Sequence, residues 1–124
     1  MIIPDVNLLL YAYDTDSPVH KKAVDWWEGC LNGDETIGLL PVVVFGFLRI
    51  GTSRRVFHNP MPVAEASGHV RLWLQRPSVE LLTPGPAYIE RVLKLLTTLG
   101  AAGNLVTDTQ IAVTALDHDA ILHT

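Results

Sequence analysis

One cysteine, Cys30, stands in a chain of 124 residues. No disulfide can form within the chain, and a lone thiol suits a reducing compartment such as the cytosol. No histidine lies at a zinc-ligand spacing from it, so Cys30 reads as a packing residue in a helix. His20 and His69 are isolated in helical segments without an HxxxH or His-Cys pattern, and zinc is not expected. Cationic residues are scarce too: nine Lys and Arg against thirteen Asp and Glu give a net charge of −4. Non-specific nucleic-acid affinity comes mainly from cations that neutralise phosphates. A DNA-binding module is therefore disfavoured, whereas an enzyme that meets phosphates through a metal ion is not. No apolar run reaches the ~18 residues of a membrane span. The N-terminal IIPDVNLLLYAY contains Asp5 and Asn7 and follows no basic segment, unlike a signal peptide. Repeats, low-complexity tracts and linkers are also absent, so one domain over residues 1–124 is expected.

What is present is punctuation. Short apolar runs near residues 2–4, 36–39, 79–82 and 120–123 read as strands. Between them lie helical patterns. One is capped by Ser17 with Pro18 at its first position, runs to about Leu31 and stops at Asn32-Gly33. A second starts at Pro41 and ends at Gly51. A third spans Pro62 to Gln75, with Val63, Ala66, Val70 and Trp73 in its apolar stripe. Others span Pro86 to Leu99, closed by Gly100, and Leu105 to His118. Residues 54–60 read as irregular. Strands alternating with helices predict an α/β fold, a central parallel sheet flanked by helices on both faces. Ligands of such folds gather at the carboxyl ends of the strands. An apolar content of 48% suggests an interface. Trp26, Phe45, Phe47 and Trp73 exceed what one small core needs, which predicts a homodimer or a partner protein.

Three groups of residues carry possible chemistry. Asp5 ends the first strand and Asn7 follows two positions on. That arrangement can hold a hard cation with an amide orienting the carboxylate, or Asp5 can cap the next helix. Asp108, beside Thr107, is the one charge in the apolar segment from Asn104 to Ala115. An ionised carboxylate inside a buried helix needs a partner or a metal, although a first-turn Asp also favours the helix dipole. Arg49, Arg54, Arg55 and His58 concentrate positive charge in an acidic chain, either as a grip on RNA phosphates or as a solvated loop. Asp117 and Asp119 read as surface charges.

IIPDVNLLLYAYD, PVVVFGFLRI and GNLVTDTQIAVTAL, in this order and followed by HDAILHT, resemble the PIN-domain ribonucleases, in particular the VapC toxins of toxin–antitoxin pairs. The resemblance covers nearly the whole chain. It implies Mg²⁺- or Mn²⁺-dependent cleavage of RNA and an antitoxin that occludes the site. By resemblance Asp5 and Asp108 are metal ligands, Asn7 and Thr107 support them, and Arg49, Arg54 or Arg55 holds RNA. Two departures stand out. The family's acid early in the second helix falls at Gly46, and a late run resembling NDxDF would begin where the sequence stops, at Thr124. Two carboxylates with waters can still hold Mg²⁺ weakly; a chain truly lacking the late acid is expected to catalyse poorly or not at all. The competing expectation is a binding module that keeps the fold and the antitoxin interface without the acids. A phosphate-receiving response regulator lacks support, since neither an acidic pair before Asp5 nor a late lysine is present.

Overall fold

The computed structural model describes residues 1–100 and 102–124. In chain order the elements are β1 (Ile2–Pro4), α1 (Val6–Tyr13), α2 (His20–Asn32), β2 (Ile37–Leu39), α3 (Pro41–Gly51), α4 (Val63–Leu74), β3 (Val79–Leu81), α5 (Pro86–Leu99), α6 (Leu105–Asp117) and β4 (Ile121–His123). The sheet order is β3-β2-β1-β4 and every pairing is parallel. Ile2 stands opposite Ile37 on one side and Ile121 on the other. The chain steps from β1 to β2 to β3 in one direction, then crosses back to β4. Because parallel crossovers are right-handed, that reversal sends α5 and α6 to the face opposite α1–α4. The reversal also creates a crevice between β1 and β4 at the strands' carboxyl ends, where ligands of such sheets collect.

The inner strands are buried as a parallel sheet requires. Ile3, Ile37 and Leu39 are fully enclosed, and Phe47, Trp73, Leu9, Leu40 and Val43 pack with them. Tyr13, Phe47, Trp27 and Trp73 form an aromatic cluster with centroids 4.8–5.7 Å apart. The Trp73 indole N–H donates to the Tyr13 hydroxyl at 2.8 Å, which removes the cost of burying both polar groups.

Several expectations need correction. Ser17 does not cap α2. Asp14 Oδ1 accepts from the Asp16 N–H and the Asp14 carbonyl from the Ser17 N–H, so two turns intervene and the helix begins at His20. α3 does end at Gly51, as expected, and Thr52 closes it, its hydroxyl donating to the Leu48 carbonyl at 2.7 Å. A Cβ at position 51 would stand 2.6 Å from Met61 Cε, the far end of a flexible side chain that can move aside. The surplus of aromatics is smaller than the sequence suggested. Phe47 and Trp73 belong to the core, and Trp26 is half-buried between Trp27 and His123. Of the four, Phe45 alone is well exposed, at 65%. Apolar exposure lies instead on α4, at Leu72 and at Val63, which was expected in the apolar stripe, and on α5, α6 and β4, at Ile89, Leu93, Leu99, Leu116 and Ile121.

Candidate active site

Asp5 leaves β1 in an extended conformation, and its backbone N–H donates to the His123 carbonyl at 3.0 Å. The residue is thus pinned between central β1 and edge β4. One carboxylate oxygen, Oδ1, accepts the Leu8 N–H at 3.0 Å and caps α1. The cap uses one oxygen of two, so helix capping and ligand binding are compatible roles for the same side chain. Burial pushes the Asp5 carboxyl above its ordinary range. The Leu8 N–H opposes that shift, the negative charge of Asp108 adds to it, and the Asn7 N–H opposes it again. Hydrogen bonds to the charged form and a like charge nearby act in these opposite directions.

Asp108 lies in the first turn of α6, whose N-terminal end faces the crevice. The first turn also favours a negative charge through the helix dipole. Asp108 is exposed, which corrects the argument that placed it in a fully buried helix. The helix buries Thr109, Ile111, Val113, Thr114 and Ala115 and turns Asp108 outward. What marks Asp108 is its position, not a desolvation cost.

Asp5, Asn7, Asn104, Thr107 and Asp108 line one open cavity of about 780 Å³ with one face of α3. That face is set by helical spacing: Val42, Phe45, Gly46, Arg49 and Ile50 recur at helical intervals along it. Val43, Val44 and Phe47 point the other way into the core. Gly46 is buried beneath the cavity, with Val6 Cγ2 3.0 Å from where a Cβ would stand. Arg49, in the last turn of α3, brings a cation to the rim. Arg54 and Arg55 sit in an exposed turn and are not among the lining residues. Asn7 is exposed at the mouth, while its backbone and that of Leu8, not its amide, act on the Asp5 carboxylate. Among the described residues, no three His, Cys, Asp or Glu side chains cluster at metal-binding distance. His20 turns its Nδ1 to the Tyr11 carbonyl, His69 stacks on Tyr13, and Asp117 pairs with Arg91, all away from this cavity.

Sequence reasoning missed Phe45 as a lining residue, and with it Asn104. The helical spacing that links Phe45 to Gly46 and Arg49 was readable, but apolar content alone sent Phe45 to an interface.

An α/β domain with two carboxylates lining one cavity at the carboxyl ends of a parallel sheet defines a class, and known relatives narrow it. The family model described as the PIN domain matches residues 2–124, so the chain belongs to the PIN-domain family. Ribonuclease VapC33 of Mycobacterium tuberculosis is 50% identical over 123 residues, covering 99% of this chain and 86% of that protein. Ribonuclease VapC37 of the same species is 36% identical, covering 97% of this chain and 83% of its own. Among solved structures, Mycobacterium tuberculosis VapC20, described as a sarcin-ricin loop cleaving toxin, superposes with a TM-score of 0.73 at 12% identity, covering 100% of this chain and 90% of that one. Rickettsia felis VapBC2, bound to a fragment of promoter DNA, gives 0.62 at 19% identity, covering 100% of this chain and 86% of that one. At such identities these superpositions show the fold alone.

Proposed function

We propose that the protein is an endoribonuclease toxin that hydrolyses RNA phosphodiester bonds at the Asp5–Asp108 cavity with Mg²⁺ or Mn²⁺, and that a cognate antitoxin covers this site. One observation carries the proposal: Asp5 and Asp108, from opposite ends of the chain, line the same cavity, and the charge of one raises the proton affinity of the other. The donors there are oxygens, from two carboxylates, two amides and a hydroxyl. Such a set suits a hard cation. Mg²⁺ is commonly held by one or two carboxylates while keeping several waters, so the residues present fit a weakly held Mg²⁺ or Mn²⁺.

When bound, the cation supplies Lewis acidity toward a phosphate oxygen. The chain's residues do the rest. Asp5 and Asp108 would hold the ion, which would relieve their mutual repulsion. The α1 cap keeps the Asp5 carboxylate in one orientation. Thr107 and Asn7 offer hydrogen bonds to the phosphodiester, and Arg49 offsets its negative charge from the rim. Arg54 and Arg55 extend the positive strip for a longer strand. A soluble protein acting on cellular RNA fits the cytosol, and among the described residues no helix is long and apolar enough to cross a membrane. The exposed apolar side chains of α5 and α6 suit a homodimer.

Purified protein incubated with total cellular RNA, with Mg²⁺, Mn²⁺ or EDTA, tests this. Cleavage at mapped positions is expected only with metal, and Asp5→Asn and Asp108→Asn should abolish it. Cleavage that survives EDTA, or survives both substitutions, overturns the proposal. The second interpretation, a binding module without catalysis, draws on the absence of a third clustered acid among the described residues. It requires antitoxin binding with no metal-dependent cleavage.

A further inference from the structure

Phe45 is 65% exposed while its neighbours Val44, Gly46 and Phe47 are buried. A large apolar ring left in water forgoes the burial that usually fixes a phenylalanine in place. A single exposed apolar residue needs no explanation by itself, but the location of this one does. Phe45 lines the same cavity as Asp5, Asp108, Thr107 and Arg49. Arg49 lies four residues further along α3 and so projects from the same face, one turn away. Between them Gly46 carries no side chain, and Val6 closes the floor beneath it. The wall beside the acids is therefore a flat aromatic ring, a gap and a guanidinium.

We propose that Phe45 is a stacking platform for an unpaired RNA base next to the scissile phosphate, with Arg49 holding the adjoining backbone. The inference rests on the nuclease proposal above and adds the side chain that meets the base. An aromatic face accepts any base, because every base presents a π surface. A base paired in a duplex cannot reach it, since its faces are already stacked. Phe45 therefore selects strandedness, while the acids and Arg49 recognise the phosphate.

The test uses the full chain and a short single-stranded RNA with 2-aminopurine at successive positions, with Mn²⁺ present. Stacking quenches 2-aminopurine fluorescence, and a purely structural role for Phe45 would not. The wild type is expected to quench one position selectively and to ignore the matching duplex. Phe45→Ala and Phe45→Leu should lose the quench and weaken binding by roughly tenfold or more, whereas Phe45→Trp and Phe45→Tyr should keep both. Leucine is the decisive control, since it preserves apolar character and removes the π face. Quenching retained by Phe45→Leu, no quench in the wild type, or a change of solution mass in Phe45→Ala overturns the inference; the last would make Phe45 an interface between copies. The two proposals separate cleanly. RNA cut by wild type with kcat, KM and quench unchanged in Phe45→Ala defeats the platform and spares the nuclease. Phe45-dependent quenching without metal-dependent cleavage defeats the nuclease and spares the platform.

Discussion

Asp5 carries two roles that substitution can separate. As a cap it accepts the Leu8 N–H at 3.0 Å, and losing an N-cap costs about 1 kcal/mol. As a ligand it offers a carboxylate to a cation. Asp5→Asn keeps an oxygen for the cap and removes the charge; Asp5→Ala removes both. A domain of 124 residues unfolds with an entropy near 0.26 kcal/mol per degree at its midpoint, so about 1 kcal/mol moves Tm by ~4 °C. In metal-free buffer at neutral pH, Asp5→Ala should melt about 4 °C below wild type. Asp5→Asn should match wild type or exceed it, because burial and the Asp108 charge both disfavour the ionised Asp5. At a Mn²⁺ concentration ten times its Kd, wild type gains about 1.4 kcal/mol from binding, or ~5 °C. Neither variant should show that gain. Differential scanning calorimetry on the three proteins, with and without Mn²⁺, reads all of these values. Asp5→Asn melting as low as Asp5→Ala would refute the capping geometry. A full Mn²⁺ shift in Asp5→Asn would refute the metal assignment.

Metal-free stability should depend on pH through Asp5. Its folded pKa lies above its unfolded one, so the folded state binds the proton more tightly. Stability from this group is present below the unfolded pKa and lost as pH rises through the folded one; urea midpoints of wild type should fall relative to Asp5→Asn across that window. Gly38→Ala should cost about 1–3 kcal/mol, since its Cβ would stand 2.7 Å from Leu82 Cδ1 and 2.9 Å from Met1 Sδ inside the sheet. Gly51→Ala, meeting only the mobile tip of Met61 at 2.6 Å and Leu10 Cδ2 at 3.6 Å, should be near neutral in the same urea titration. Trp73→Phe should lose about 2 kcal/mol through the missing bond to the Tyr13 hydroxyl and the smaller ring, and a drop below 0.5 kcal/mol would contradict the packing of that cluster.

Local rules made most of the fold legible. Prolines at positions 41 and 86 begin α3 and α5 at their first helical residue, and Gly100 ends α5 in the left-handed conformation at φ 68°. The four strands fall within a residue of the apolar runs that predicted them. Where a local rule failed, a turn had displaced the helix start. Ser17 Oγ accepts the Val19 N–H at 3.3 Å and its carbonyl the His20 N–H, so a turn stands between Ser17 and α2.

The site divides the same way. Asp5 was legible because a carboxylate at a strand end is chemically conspicuous, and its cap and its place in the cavity both follow from that one position. Asp108 lines the cavity for a reason other than the one that singled it out. The absence of other charges between Asn104 and Ala115 suggested a wholly buried helix, yet α6 exposes Asp108 and buries Thr109 and Thr114 in the interior. Threonine hydroxyls can satisfy themselves within a helix, as Thr114 does by donating to the Gln110 carbonyl at 2.9 Å. Polar residues of that kind can therefore line the buried side, and uncharged sequence does not specify which side is outward. The direction came from the sheet. Only the reversal after β3 carries α6 back beside β1, and only that return brings a residue near the end of the chain against one near its start. Two carboxylates that topology brings to one cavity, with a local helix cap holding one of them, make a candidate site whose parts the sequence shows separately and whose convergence it does not.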